Sequence, residues 1–492
     1  MDKIKEKLSE KWLLVIIATT YILSIGIYLY HFVALGHLNV VGDLPHTELI
    51  YYFTKFPDFN QYFLMELAHP KLFHSIVGVW NIFVGANDYT IIISTLLFNS
   101  FFLLFFLVSV YITAELYFGK KAALYSAALC FLLSPILPSF FSINDHASFY
   151  ALFPLFFYIA KRIEEIPALI SILVLGALFS TGSLAFFIPC WFGVLVIAHR
   201  GNEKILTHAL YGIALFLPFI MPVFLRMLGV PIETMDLVGA WIPLGSLIAL
   251  ISVFIFNRYF LSKDSVKAIF FISFLLASYI LLVDNFGQVD TGKVDTLLSL
   301  GESNLEKDPL SIIFSIDLNT IFSFENLLFG ILMGAGITTY SVFKKKENDT
   351  TISPLVWIMG ISFVFMLIHG IGRFFFLDYY ITTRFFSLNH QGRILFYISL
   401  VILGGYGLSH FLKSQTFKRE IAIHAVFIIL IFYHVFSVQL VDRIFIERDK
   451  IGLGNQFNGV YAEVLDEKLL GVESSGERID YYSCTYYDIC HE

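Results

Sequence analysis

Charged residues are scarce in this chain: Asp, Glu, Lys and Arg together make up 14% of 492 residues, against roughly 25% in an ordinary soluble domain. That shortage excludes a typical cytosolic enzyme, a disordered chain and a nucleic-acid binder. Cysteine is scarce as well, at four residues, so no disulfide framework holds the fold. There is no internal repeat, and no Pro- or Gly-broken helix pair of the kind that marks inverted-repeat transporters. What is abundant is apolar. Hydrophobic residues reach 57% and aromatics 17%, with 54 Phe, and the mean hydropathy is +0.76. Only lipid solvates so much apolar surface spread along a whole chain, so the sequence predicts an all-α polytopic membrane protein.

A membrane-crossing helix needs about 20 apolar residues. The first such run, from Trp12 to about Leu35, follows a Lys-rich start (Lys3, Lys5, Lys7, Lys11). It is too long for a signal-peptide core and no small-residue cleavage site follows, so it reads as a retained helix. Further runs lie at about 88–117, 122–141, 148–160, 167–181, 183–198, 205–225, 238–257, 266–283, 319–342, 352–371, 393–412 and 420–439. The total is about 13 transmembrane helices. Positive charge orients them with the N-terminus inside. Nineteen of the 32 Lys and Arg then fall in the N-terminal segment and short inner turns, while 28 of the 39 Asp and Glu fall outside.

Irregular sequence collects on the outer side, in 36–87, 284–318, 371–392 and the tail from about 440 to 492. The chain thus divides into a transmembrane domain, 1–439, and a small extracytoplasmic tail, 440–492. The glycosylation triplet Asn348-Asp349-Thr350 falls on the inner side, where it stays unmodified. Cys484 and Cys490 in the tail either close a disulfide on an oxidising face or remain free thiols. Cys130 and Cys190 read as small core residues.

Charged side chains are nearly absent from helix interiors, which leaves no usual proton relay or ion path. Polar groups gather at the outer mouth instead. After helix 1 comes Val41-Gly42-Asp43-Leu44-Pro45-His46-Thr47-Glu48, where Gly and Pro place the Asp on a turn. A half-shielded carboxylate there suits a general base; the plainer reading is a solvated loop. From Thr47 to about Leu67, apolar residues recur at near-helical spacing, as one or two helices lying in the interface plane require. The run His69-Pro70-Lys71-Leu72-Phe73-His74 leads into Ile76–Val84, too short to span and so interfacial or re-entrant. A third polar spot, Ser142-Ile143-Asn144-Asp145-His146, falls on the same side. It is either a partner of the first or an unrelated polar turn.

The outer segment 371–392 and the residue after it hold Arg373, Arg384 and Arg393 among aromatics, with Asn389 and His390 nearby. Arginine suits bidentate phosphate binding, and aromatics suit the lipid interface. Snorkelling to lipid headgroups is the plainer alternative. Arg393 is expected to begin a helix, whose N-terminus is itself a favourable anion site.

Several of these features recur together in one family. An Asp follows helix 1, then interfacial helices and a His69-Pro70-Lys71-Leu72 segment. A long helix ends in Tyr117-Phe118-Gly119-Lys120-Lys121-Ala122-Ala123-Leu124, the next closes with Leu133-Ser134-Pro135, and a second acidic loop follows. In order and sidedness this series resembles the GT-C superfamily of polyprenyl-phosphate-sugar glycosyltransferases, among them protein O-mannosyltransferases and the aminoarabinose transferases of lipid A. The resemblance is clearest over 36–165. It implies catalytic roles for Asp43 and Asp145, and donor-phosphate contacts for His69 and Lys71 as part of the H-P-P-L-like segment. Lys71, Arg373, Arg384 and Arg393 are the candidates to stabilise charge on the leaving phosphate. His46, Glu48 and His146 are candidates for sugar or acceptor binding. Many members carry a second acid beside the first, and Leu44 stands there in this chain, which weighs against a two-carboxylate or metal-bridging scheme. Oligosaccharyltransferases are similar in plan but carry W-W-D-Y-G in a large C-terminal domain. That string is absent here, so en bloc glycan transfer is disfavoured.

The implied activity moves one monosaccharide from a polyprenyl (dolichyl-type) phosphate to an acceptor hydroxyl on a lipid, glycan or protein, with inversion, at the extracytoplasmic face of a cell membrane. No cofactor is required by that chemistry. His46, Glu48, His69, His74 and His146 are the residues a divalent cation would use, but their spacing fits no specific site. Rival readings are a lipid-linked glycan polymerase or ligase and a lipid flippase or transporter. Membrane lipids are partners in every case, and nucleic acid in none.

Overall fold

The computed structural model describes residues 2–33, 37–39, 50, 53–54, 72–86, 91–133, 137, 140, 146–181, 190–191, 193–195, 197–198, 202–220, 242–259, 378–413, 417–440 and 445–447. In chain order its elements are α1 (Asp2–Val33), β1 (His37–Asn39), α2 (Leu72–Phe83), α3 (Ile91–Phe118), α4 (Lys120–Leu129), α5 (His146–Arg162), α6 (Ala168–Thr181), α7 (Glu203–Leu215), α8 (Ile242–Tyr259), α9 (Asp378–Lys413), α10 (Phe417–Leu440) and β2 (Phe445–Glu447). The runs expected at 12–35, 88–117, 148–160, 167–181, 238–257 and 420–439 overlap α1, α3, α5, α6, α8 and α10; that at 205–225 is matched by α7 only as far as Leu215, that at 393–412 falls within α9, and that at 183–198 lies partly outside the described residues. Those at 266–283, 319–342 and 352–371 lie outside the described residues. Among the described residues, Glu10–Ile27 and Ile93–Phe118 are long and apolar enough to cross a membrane.

A helix apolar all round has no face for water and must be buried. In α4, every residue from Ala122 to Leu129 is buried, and α1, α3 and α9 pack around it. Its small residues let α9 approach backbone to backbone. A Cβ placed on Gly405 of α9 would lie 2.6 Å from the Ala122 carbonyl oxygen, and Ser126 Oγ donates to the Ile402 carbonyl at 3.3 Å. The same device joins α6 to α7, where a Cβ on Gly212 would lie 2.6 Å from Gly176 N.

Gly119 separates α3 from α4. Its φ of +84° is costly for any residue with a Cβ, and its N–H donates to the Glu115 carbonyl at 2.9 Å. This is the glycine of the Tyr117-Phe118-Gly119-Lys120 string. Lys120 then reaches Glu10 of α1 at 2.8 Å, and that hydrogen bond raises the Lys120 pKa. Arg162 pairs with Glu165, and Lys204 with Glu164. One end of the bundle therefore carries Glu10, Lys120, Arg162 and Lys204, and we call it the basic end.

Contacts fix the direction of each helix against that end. Thr113 Oγ1 donates to the Pro154 carbonyl and Tyr117 OH to the Phe157 carbonyl, so α3 and α5 run parallel towards it. Ser126 meets Ile402 while Phe118 stacks on Tyr406, so α9 also runs towards it. Helix α10 starts there, and Tyr125 of α4 meets His424 of α10. The far end receives the ends of α1 and α10. There the one sheet among the described residues pairs β1 with β2 antiparallel, His37 opposite Glu447, Leu38 opposite Ile446 and Asn39 opposite Phe445.

Three local expectations need revision. Residues 378–392, read as part of an irregular outer segment, are helical from Asp378 onward. Arg393 therefore stands fifteen residues inside α9 and does not begin it. The helix-dipole field fades within the first turn, so the N-terminal anion argument fails for this residue. The run expected at 122–141 is α4 followed by a 3-10 turn at Cys130–Leu132 rather than one helix of that length.

Candidate functional site

Asp43, His46, Glu48, His69, Lys71, Asp145 and Arg373 lie outside the described residues. What is described is the scaffold that flanks them. Asp43 follows Asn39 of β1 by four residues, Lys71 immediately precedes α2, and Asp145 immediately precedes α5.

Helix α2 lies antiparallel to α3. Trp80 Nε1 donates to Ser94 Oγ at 3.1 Å and Asn81 Nδ2 to Thr95 Oγ1 at 3.0 Å, while Phe73 packs beside Phe102, centroids 6.0 Å apart. Its end is thus at the far end of the bundle, and its start is sunk about 16 Å below Ile91 of α3. Phe53, from the stretch read as interfacial, is buried and packs over Gly78 of α2.

Heights along the bundle can be read against α3. Phe73 is level with Phe102 by direct contact. Thr113 meets Pro154 at 2.9 Å, so His146, eight residues earlier, is level with the region of Phe105. Phe118 stacks on Tyr406 at 4.5 Å, so Arg393, thirteen residues earlier, is level with the same region. At 1.5 Å per residue the three heights agree within about 5 Å. The start of α2, the start of α5 and the backbone of Arg393 form one tier, recessed from the far end.

Arg384 is not on that tier. It precedes Arg393 by nine residues, two and a half turns, which puts it on the opposite face and about 13.5 Å further out.

The tier holds the starts of two helices, whose positive dipole ends favour an anion. The His146 ring is half-buried and lies 5.9 Å from that of Tyr150, one turn on. Tyr150 is fully buried and packs edge-on against Phe140 at 6.2 Å, which fixes the floor beneath the start of α5. Among the described residues, no group of three or more His, Cys, Asp or Glu is placed to hold a metal ion.

Uncharged polar residues form a buried seam between α2 and α3. His74, Ser75 and Asn81 of α2, with Thr95, Asn99 and Ser100 of α3, are all buried. Tyr21 of α1 joins them by donating to the Ser100 carbonyl at 3.2 Å. Hydrogen bonds between apolar helices hold them together where burial alone does not discriminate, and here they fix the depth of α2. The signal was the spacing of Thr95 and Asn99, four apart on one face of an otherwise apolar helix.

No protein-family model and no curated protein sequence matches the chain. Among solved structures it is similar to the archaeal oligosaccharyltransferase AglB from Archaeoglobus fulgidus, in complex with an inhibitory peptide and a dolichol-phosphate. That likeness has a TM-score of 0.49 at 12% identity, covering 87% of this chain and 55% of the other, so the chain spans about half that protein's length. It is also similar to ArnT from Cupriavidus metallidurans bound to undecaprenyl phosphate, with a TM-score of 0.33 at 13% identity over 82% of this chain and 81% of that one.

Proposed function

We propose that the chain is a multi-pass membrane glycosyltransferase that moves one sugar from a polyprenyl phosphate to an acceptor hydroxyl at the outer face. The observation that carries this reading is the recessed tier: the starts of α2 and α5 and the backbone of Arg393 share one height, with Lys71 and Asp145 as sequence neighbours of the two helix starts. Positive-inside charge puts the basic end in the cytoplasm, and the tier then opens outward. The sugar phosphate enters it, and the polyprenyl tail stays in lipid.

Asp43 accepts the proton of the acceptor hydroxyl. The hydroxyl oxygen attacks the anomeric carbon from the face opposite the phosphate. The bond from that carbon to the phosphate oxygen breaks, its electron pair stays with the phosphate, and the sugar is inverted. Stabilising charge on the departing phosphate is the main demand, met by Lys71, His69 and Arg393. Arg384 stands further out, and the acceptor or sugar is bound by His46, Glu48 and His146. The test is release of labelled sugar from dolichyl-phosphate mannose and dolichyl-phosphate glucose by purified protein in lipid. Asp43→Asn is expected to lower turnover by roughly 10²–10⁴-fold with dolichyl phosphate still bound. Undiminished turnover in Asp43→Asn removes Asp43 from the mechanism, and no release from either donor removes transfer from a dolichyl-phosphate hexose.

A further inference from the structure

The β1–β2 pair joins two stretches that are 408 positions apart in sequence and that leave the bundle at the same end. Two of its three pairs match in chemical kind: apolar Leu38 is opposite apolar Ile446, and His37 is opposite acidic Glu447, while Asn39 stands opposite Phe445. Opposed pairs of these kinds are the ones that stabilise an antiparallel ladder. Asn39 ends β1, and Asp43 follows four residues later. A chain of that length spans at most about 14 Å, so whatever holds β1 limits where Asp43 can go. Helix α1, packed against α4 and α10, holds β1 on one side. On the other side, the described contact that restrains it is β2.

We propose that Ile446 and Glu447 are positioning residues for Asp43: the segment after α10 clamps the first outer segment as a second strand and thereby aims the carboxylate at the acceptor hydroxyl. This rests on the role proposed for Asp43 above. It assigns to the tail a part in the reaction that hydropathy and composition do not reveal. Loosening the clamp leaves donor binding in the recessed tier intact and lowers the fraction of complexes with Asp43 in reach, so it lowers kcat and spares the KM for donor.

The experiment uses the full chain in lipid with Cys484→Ser and Cys490→Ser, so that the tail's own thiols do not interfere. In that background Leu38→Cys with Ile446→Cys is expected to form an intramolecular disulfide under mild oxidation. His37→Glu, which sets two acids opposite each other, is expected to lower kcat at least fivefold with the donor KM within twofold of the parent. Adding Glu447→Lys is expected to restore kcat to within twofold. The absence of the disulfide overturns the proposal, as does a His37→Glu defect that Glu447→Lys does not relieve or one that appears in KM. If the disulfide forms but the parent chain transfers no sugar, the catalytic role of Asp43 fails while the strand pairing stands. If the parent transfers sugar and no disulfide forms, the clamp fails and the enzyme reading stands.

Discussion

The hydroxyl of Tyr125 on α4 lies 2.6 Å from Nε2 of His424 on α10, with the two rings stacked 5.7 Å apart. Tyr125 is fully buried. The contact ties the central helix to the last one at the basic end.

Removing that hydroxyl separates packing from hydrogen bonding. Tyr125→Phe keeps the stacked ring and removes the hydrogen bond to the half-buried His424, a loss of about 0.5–1.5 kcal/mol. A lower melting temperature in detergent is expected, with dolichyl-phosphate binding unchanged. An unchanged melting temperature would show that the imidazole finds water or another partner.

Gly405 tests how closely α9 sits on α4. An alanine there must push against the Ala122 carbonyl and Ser126, and overpacking of this kind costs typically 1–3 kcal/mol. Gly405→Leu should prevent recovery of folded protein, whereas Gly405→Ala should give a folded protein of reduced thermal stability. A wild-type melting curve for Gly405→Leu would mean that the two helices separate readily.

The connection at Gly119 can be probed in the same way without any contact being altered, since nothing lies near the position its Cβ would take. Gly119→Ala is expected to lose roughly 1–3 kcal/mol from backbone strain alone. With ψ at 170° this is a backbone region open essentially to glycine alone, so Gly119→Asn should lose as much as Gly119→Ala. A much smaller loss in either variant would mean that the connection relaxes to another backbone conformation.

The two arginines of α9 should behave differently. Arg393→Ala removes a cation at the height of the α2 and α5 starts, and hydrogen bonds to charged groups are worth about 1.5–3 kcal/mol. Dolichyl-phosphate binding, followed by native mass spectrometry in detergent, should weaken by about 10- to 150-fold. Arg384→Ala should leave that binding within threefold and act on acceptor KM instead. The reverse pattern would place the phosphate on the outer turns of α9.

Hydropathy made most of this architecture legible because it measures how long a run is comfortable in lipid. It found α3 and α10 for that reason. It is blind to helix that continues through polar sequence. The Lys- and Glu-rich start of α1 (Asp2–Lys11) and the Arg- and aromatic-rich start of α9 (Asp378–Gly392) are helical, yet neither belongs to an apolar run. The start of α1 is built from strong helix formers, which propensity could have revealed. The seam of Asn81, Thr95 and Asn99 escaped because its members are uncharged. Candidate residues could be named from the sequence, but not their heights. That His146 and Arg393 share a tier depends on Thr113 meeting Pro154 and Phe118 meeting Tyr406, contacts 41 and 288 positions apart in sequence. Two strands of three residues carry no periodicity at all, and their pairing could not have been read.

The adjacency of α1 and α10 has a consequence for biogenesis. A ribosome delivers α1 long before α10 exists, yet α1 packs against α10 and has Thr20 and Ser24 fully buried. Until that helix arrives, α1 has no permanent neighbour on the side that α10 covers. Assembly of this bundle is therefore completed by closure between an early and a late part of the nascent chain. A ribosome stalled before α10 leaves a product whose defect lies at the opposite end of the sequence, in α1, and membrane quality control would recognise it there.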